Sequence, residues 1–268
     1  SIQRLGFEDA YMTVREHDAY ARALPCELVP AADLLAELRA VKDPEELEIM
    51  IAAQRIAEKA LTDILNEIRP GVAEKEIAAR LQYLMLHYGA EDKSFDPIVV
   101  SGPNGSLPHG VPSEKVIQAG EFVTMDFGCI YHGYCSDMTR TFFCRAADPK
   151  YAAIHDLVRE ANELAESMLR PGVPLCDLDK AARDHISAAG YGEYFTHRLG
   201  HFIGQTEHEK GDVSATNTTL AKPGMIFSIE PGVYLPGEFG VRVEDLVLVT
   251  EDGCEILNHV DKHWKTVG

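Results

Sequence analysis

The chain has 268 residues, 46% hydrophobic and 25% charged, proportions that suit a soluble globular protein and exclude a disordered or low-complexity one. Lys and Arg number 25 against 43 Asp and Glu, a formal charge of −18 that argues against nucleic acid and membrane surfaces as partners. No apolar run approaches the roughly 20 residues of a spanning helix, and the opening Ser1-Ile2-Gln3-Arg4 does not read as a signal peptide.

Residues 1–36 read as a strand (Tyr11 to Val14), a short helix (His17 to Leu24) and a strand (Glu27 to Val29), with Pro30-Ala-Ala-Asp33 as a turn into the main domain, residues 37–268. Asp43-Pro44-Glu45-Glu46 then starts a helix with a capping Asp, Pro at the first position and acids in the first turn. Leu47, Met50, Ile51, Ile56, Leu61 and Leu65 follow at helical spacing, and Arg69-Pro70-Gly71 stops the run. A second helix spans about Glu74 to Tyr88 and ends at Gly89. The grammar then returns. Asp148-Pro149 opens a helix carrying Ile154, Leu157, Val158 and Leu164, Arg170-Pro171-Gly172 stops it, and another helix ends at Gly190. The strands echo one another too. Gly120 to Gly128 aligns with Gly224 to Gly232, each ending in a carboxylate (Asp126, Glu230) just before glycine. A second strand in each half carries Asp137 or Glu244. Turns, helix starts and acids agree together, so the chain reads as a tandem αα-ββ duplication of α+β class, with a period far longer than a solenoid's.

Any one of these four acids, taken alone, reads as a surface residue. Four at matching places in two halves do not. A pseudo-two-fold axis would gather them, and four carboxylates cannot be ionised side by side without cations. Two divalent ions balance their charge. His197, His201 and His208 lie close together among glycines, and His109 sits in a Pro/Gly/Ser-rich loop. Oxygen-rich ligation with one imidazole suits Mn²⁺ or Fe²⁺, with Co²⁺ and Zn²⁺ as alternatives. Such a pair activates water and polarises a carbonyl or phosphoryl group, which makes the chain a hydrolase. The six cysteines form no Cys-x-x-Cys pair and suit reduced thiols in the cytoplasm.

At these residues the sequence resembles the pita-bread metallopeptidases: methionine aminopeptidase, Xaa-Pro aminopeptidase, prolidase and the metal-free creatinase. The resemblance covers roughly residues 37 to 260. It rests on Asp-Phe-Gly at 126–128, Ser-Asp-Met-Thr-Arg-Thr at 136–141, Glu-Pro-Gly-Val-Tyr at 230–234 and Gly-Val-Arg-Val-Glu-Asp at 240–245. It implies a curved antiparallel sheet and five metal ligands, Asp126, Asp137, His201, Glu230 and Glu244, with Asp126 and Glu244 bridging both ions and Glu230 also handling a proton. It further implies that His208 stabilises the tetrahedral oxyanion, that His109 meets the peptide nitrogen or leaving group, that His197 binds substrate or shuttles a proton, and that Arg242 orients the acids around the substrate amine. The complete ligand set argues against creatinase.

Residues 1–36 resemble the end and connector of the N-terminal domain of Xaa-Pro peptidases, which methionine aminopeptidases lack, and a homodimer is the expectation. Phe202 stands where many relatives have Gly, either as in some Xaa-Pro aminopeptidases or as a packing variant. Gln205-Thr206-Glu207 departs from the apolar pattern common in relatives. His208-Glu-Lys-Gly-Asp212 replaces a run in which prolidases use an Arg to hold the dipeptide's carboxylate, and Asp212 would repel it. The expectation is therefore a metal-dependent exopeptidase acting on peptides with proline second. Prolidase, methionine aminopeptidase and a catalytically weak binding protein follow as alternatives. A phosphoester hydrolase would need a Lys/Arg cluster that the sequence lacks.

Overall fold

Two α+β halves, preceded by a small parallel unit, realise the repeated pattern in a computed structural model that describes residues 2–268. The opening unit corrects the sequence reading in two places. The first strand is β1 (Arg4–Phe7), not Tyr11 to Val14; Tyr11 lies in a turn and Val14 begins α1 (Val14–Ala23). Thr13 and Glu16 form a capping box there, satisfying the helix's first donors. β1 pairs in parallel with β2 (Glu27–Pro30). Ala32 opens a helix, α2 (Ala32–Ala40), where the sequence suggested only a turn. Ala31 offers no side-chain cap, and Asp9 Oδ1 accepts from the Ala31 and Ala32 amides instead.

The first half runs α3 (Pro44–Ile64), α4 (Glu74–His87), β3 (Asp92–Lys93), β4 (Ile98–Ser101), β5 (Phe122–Phe127), β6 (Cys129–Tyr131), β7 (Tyr134–Cys135) and β8 (Met138–Cys144). The second runs α5 (Pro149–Met168), α6 (Leu175–Ala188), β9 (Gly200–His201), β10 (Asp212–Val213), β11 (Ile226–Ile229), β12 (Gly232–Leu235), β13 (Phe239–Arg242), β14 (Asp245–Val249) and β15 (Cys254–Ile256). β16 (Thr266–Val267) returns to the first half beside β8. Asp43 caps α3 and Asp148 caps α5, each before a Pro, as the sequence predicts. The helix stops match as well. Gly71 and Gly172 both take the left-handed backbone that ends the run, at φ +96° and +84°.

In the first half β4, β5 and β8 form an antiparallel sheet; in the second, β11, β14 and β15 do. A bridge between Thr139 and Glu244 joins the two. Each half has its own apolar core. Ala57, Leu61, Ile64 and Leu81 from α3 and α4 pack on Val123, Met125 and Phe127 of β5. Val158, Ala161, Leu178 and Ala182 from α5 and α6 pack on Phe227, Val241 and Val247. Truncating one of these large side chains to Ala costs about 2–5 kcal/mol. A third cluster of Met50, Cys135, Ile203, Ile226 and Leu246 lies between them. All six cysteines are free. Among the described residues no helix is long and apolar enough to cross a membrane.

Candidate metal centre

The four matched acids occupy matched places at strand ends and interruptions. Asp126 is the penultimate residue of β5, opposite Thr139 of β8. Glu230 directly follows β11. Asp137 sits in the break between β7 and β8, and Glu244 in the break between β13 and β14. Such breaks release a side chain from strict alternation, so a buried strand can deliver a carboxylate inward. Two buried groups hold the second break. Arg140 Nη1 donates to the Glu244 carbonyl at 2.6 Å, and Arg140 Nη2 donates to Asp245 Oδ1 at 2.6 Å. Lys262 covers the other Asp245 oxygen at 2.7 Å.

His201 arrives from β9. A Cβ on Gly200 would stand 1.9 Å from the Ser228 carbonyl oxygen, so only glycine lets β9 lie this close to β11. That approach lets the His201 amide donate to Ser228 Oγ at 3.0 Å, and Ser228 Oγ donates in turn to Glu230 Oε1 at 3.1 Å. The ring's Nδ1 lies 3.2 Å from the Phe202 carbonyl, which favours a proton on Nδ1 and leaves the Nε2 lone pair facing the acids. His201 Nε2 is 3.4 Å from Asp137 Oδ2 and 3.5 Å from Glu230 Oε1. Asp137, His201 and Glu244 each offer a donor atom, all within 4.8 Å of one another and all buried.

Among the described residues Asp126 Oδ1 and Asp137 Oδ1 are buried without a hydrogen-bond partner. Buried charged oxygens are costly unless paired or coordinated. Burial, and then the neighbouring carboxylates, push Asp137 and Glu244 well above the usual carboxylate range. Burial also raises Asp126, against the pull of Arg242. Glu230 goes the other way. Its burial would raise it, but His201, His197 and Arg242 prevail and hold it low. This donor set fits a divalent cation: oxygen-rich, one oriented imidazole, and two carboxylate oxygens with no protein partner.

All nine sequence-predicted residues line one cavity of about 370 Å³, together with Phe95, Ile98, Pro108, Arg198 and Glu207. Arg242 is buried and committed to protein groups: Asp126, Thr139 Oγ1 at 3.0 Å, Tyr234 Oη at 2.7 Å and the Pro108 carbonyl at 3.0 Å. His197 Nε2 lies 3.0 Å from Tyr234 Oη, and burial lowers the His197 pKa. Arg183 of α6 fixes this segment by donating to the Phe195 and His197 carbonyls. The His208 ring meets His201 edge-on at 4.2 Å, and burial pushes it down to about 4. His109 lies exposed at the rim.

Of the departures, Asp212 resolves against the sequence expectation and Phe202 takes the packing alternative. Asp212 does not line the cavity; its carboxylate accepts from Ser214 Oγ at 2.8 Å. Phe202 is a packing residue, buried 5.4 Å from the Phe227 ring. Sequence reading missed Arg198 as a cavity residue and the supports Thr139, Ser228 and Tyr234. The Thr139 hydroxyl, which donates to Glu244 Oε2 at 2.6 Å, stands two residues from Asp137. That proximity to a predicted ligand was the available signal.

The sequence profile of metallopeptidase family M24 matches residues 48–251. An uncharacterized peptidase of Bacillus subtilis, YqhT, is 41% identical over 262 residues, 97% of this chain and 74% of that protein. Among solved structures, a Xaa-Pro dipeptidase from Bacillus anthracis matches with TM-score 0.96 and 41% identity, over 99% of this chain and 75% of the other. An X-Pro aminopeptidase from Thermotoga maritima matches with TM-score 0.95 and 37% identity, over 99% of this chain and 76% of the other.

Proposed function

Because the chain belongs to metallopeptidase family M24, we propose that it hydrolyses the N-terminal Xaa-Pro bond of peptides with two divalent cations, Mn²⁺ being the first candidate. The observation that carries this reading is the gathering of Asp126, Asp137, His201, Glu230 and Glu244 on one cavity, with two buried carboxylate oxygens lacking a protein partner. These five residues are the ligands in this proposal. When bound, the cations neutralise the carboxylates, polarise the scissile carbonyl and lower the pKa of water.

The chain's own groups supply the rest. Ser228 occupies Glu230 Oε1, so Oε2 is the free carboxylate atom that takes the proton of the attacking water. His208, driven to about 4 by burial, is neutral at physiological pH and donates an uncharged hydrogen bond to the developing oxyanion. Arg242 and Tyr234 hold Asp126 and His197 in place, and His109 meets the leaving nitrogen from the rim. Phe95 and Ile98 give the proline ring an apolar wall. Residues 1–36 as the end of a preceding domain belong to the same proposal; among the described residues β1 and β2 pair only with each other.

One observation favours a dipeptidase over an aminopeptidase. Arg198 lines the cavity, and among the described residues its guanidinium takes part in no salt bridge. Asp212, the sequence's reason for the opposite preference, lies outside the lining. Hydrolysis of Ala-Pro and Ala-Pro-Ala by the Mn²⁺-loaded chain tests both levels. Cleavage of either supports the Xaa-Pro reading, and the faster one assigns the class. Asp137→Asn should lose metal-dependent turnover by more than about 100-fold with its far-ultraviolet circular dichroism retained. Turnover left intact in that variant would refute the ligand assignment.

A further inference from the structure

The cavity wall carries a charge that neither the ligand set nor the proposed chemistry uses. Glu207 lines the cavity with its side chain 33% exposed. Among the described residues its carboxylate accepts no hydrogen bond and has no Lys or Arg within 4 Å; the basic side chain within that distance is His208, with Nε2 at 3.7 Å. Burial raises the Glu207 pKa, His201 pulls the other way, and Asp126 and Glu230 add to the rise, so its charge faces the ligand acids across the cavity.

The segment presenting it is held firmly. Glu209 takes Arg39 Nη2 at 2.7 Å, Lys42 Nζ at 2.9 Å and the Gln205 amide at 3.1 Å. The Gly204 amide donates to the Thr206 carbonyl, and Thr206 Oγ1 donates to the His208 carbonyl. The backbone fixed this way sets where the Glu207 side chain leaves the chain, on the cavity wall. Arg198, on the same cavity, is also unpaired, and it lies more than 4 Å from Glu207. Two opposite charges that share a cavity but not a salt bridge suit a ligand bearing both signs. In the proposed centre the cations would answer the other four acids, which leaves Glu207 to meet a cation on the substrate. The α-ammonium is common to every substrate, and proline has no side-chain charge. Discrimination therefore falls on the residue ahead of proline.

We propose that Glu207 selects substrates whose first residue carries a side-chain cation, so that Lys-Pro and Arg-Pro sequences are preferred. The inference rests on the Xaa-Pro reading above and names the substrate class of that site. A partly exposed ion pair makes the preference about fivefold.

The test measures kcat/KM of the Mn²⁺-loaded chain on Arg-Pro, norleucine-Pro and Glu-Pro, for the wild type, Glu207→Gln and Glu207→Arg. The Arg-Pro to norleucine-Pro ratio should be about fivefold in the wild type and fall to near unity in Glu207→Gln. In Glu207→Arg it should invert, with Glu-Pro gaining. Equal loss on all substrates in Glu207→Gln would put Glu207 in the metal or catalytic machinery and overturn the proposal, as would a wild type without preference. Calorimetric binding of the same three compounds with the scissile carbonyl reduced to methylene separates the two readings. Charge-selective binding without hydrolysis, Ala-Pro-Ala also staying intact, would sink Xaa-Pro hydrolysis and keep the role of Glu207. Hydrolysis without charge selection would do the reverse, and absence of both would sink both.

Discussion

His155 and Asp137 are both buried titratable side chains, and burial moves them in opposite directions on the pH scale. His155 lies on α5, 1% exposed, facing the Phe122 ring, and burial pushes it down to about 4 from an ordinary 6.5. Asp137 is pushed up. In each case the uncharged form is the one the fold accepts. The stability consequence for His155 follows from linkage. Its folded pKa is depressed, so the unfolded chain binds the proton first as pH falls. The contribution is complete above about 6.5 and drains away between there and about 4, a span worth on the order of 3 kcal/mol. Urea unfolding at pH 7 and pH 4.5 should therefore show a larger loss of stability in the wild type than in His155→Leu. Parallel losses would mean that His155 is already satisfied when charged. None of this was legible in the sequence, where His155 stands in an ordinary amphipathic helix and only packing reveals its face.

At the level of elements, what could be read depended on how local the determinant is. The starts of α3 and α5 were legible because Asp43 and Asp148 cap their own helices across a few residues. α2 was not, because its cap is Asp9, more than twenty residues away. β1 was misplaced because Arg4 to Phe7 is largely exposed and shows no alternation to find. The misreading of Asp212 has a period-two cause. In β10, Val213 turns into the core while Asp212 turns to Ser214, and a strand offers its neighbours opposite faces. The loop between β9 and β10 depends on a contact no local pattern shows. Lys42 has 1% of its side chain exposed, burial lowers its pKa, and Glu209 is its counterion. Glu209→Ala would strand that ammonium at a cost of about 3–5 kcal/mol. Amide exchange over residues 203–211 should accelerate far more than over α3, and turnover should fall with it. Uniform exchange along the chain would show that the loop does not rely on this pair.

For the molecule as a whole, the duplication was legible because it leaves marks in caps, turns and acids alike, while the meeting of the halves was an inference from charge. The structure gives that meeting a physical form. Asp126 and Asp137 come from the first half, Glu230 and Glu244 from the second, and the helices of each half pack on their own sheet. Cations held by all four would therefore fasten the halves together. Asp137 and Glu244 have folded pKa values raised above their unfolded ones, so without cations they favour the fold only while protonated, and that contribution is lost as pH rises. Cations bind the ionised form, so the order reverses once they are present. At a hundredfold excess over Kd, binding adds about 2.7 kcal/mol. The melting midpoint should thus be higher with Mn²⁺ than after chelation, and the gap should widen between pH 5.5 and pH 8. Asp137→Asn should close most of the gap. In the chelated state it should also melt above the wild type at pH 8, because it removes a carboxylate pressed against other carboxylates. A gap that stays constant with pH, or a chelated Asp137→Asn that melts lower than the wild type, would show that these acids are not what holds the two halves in tension.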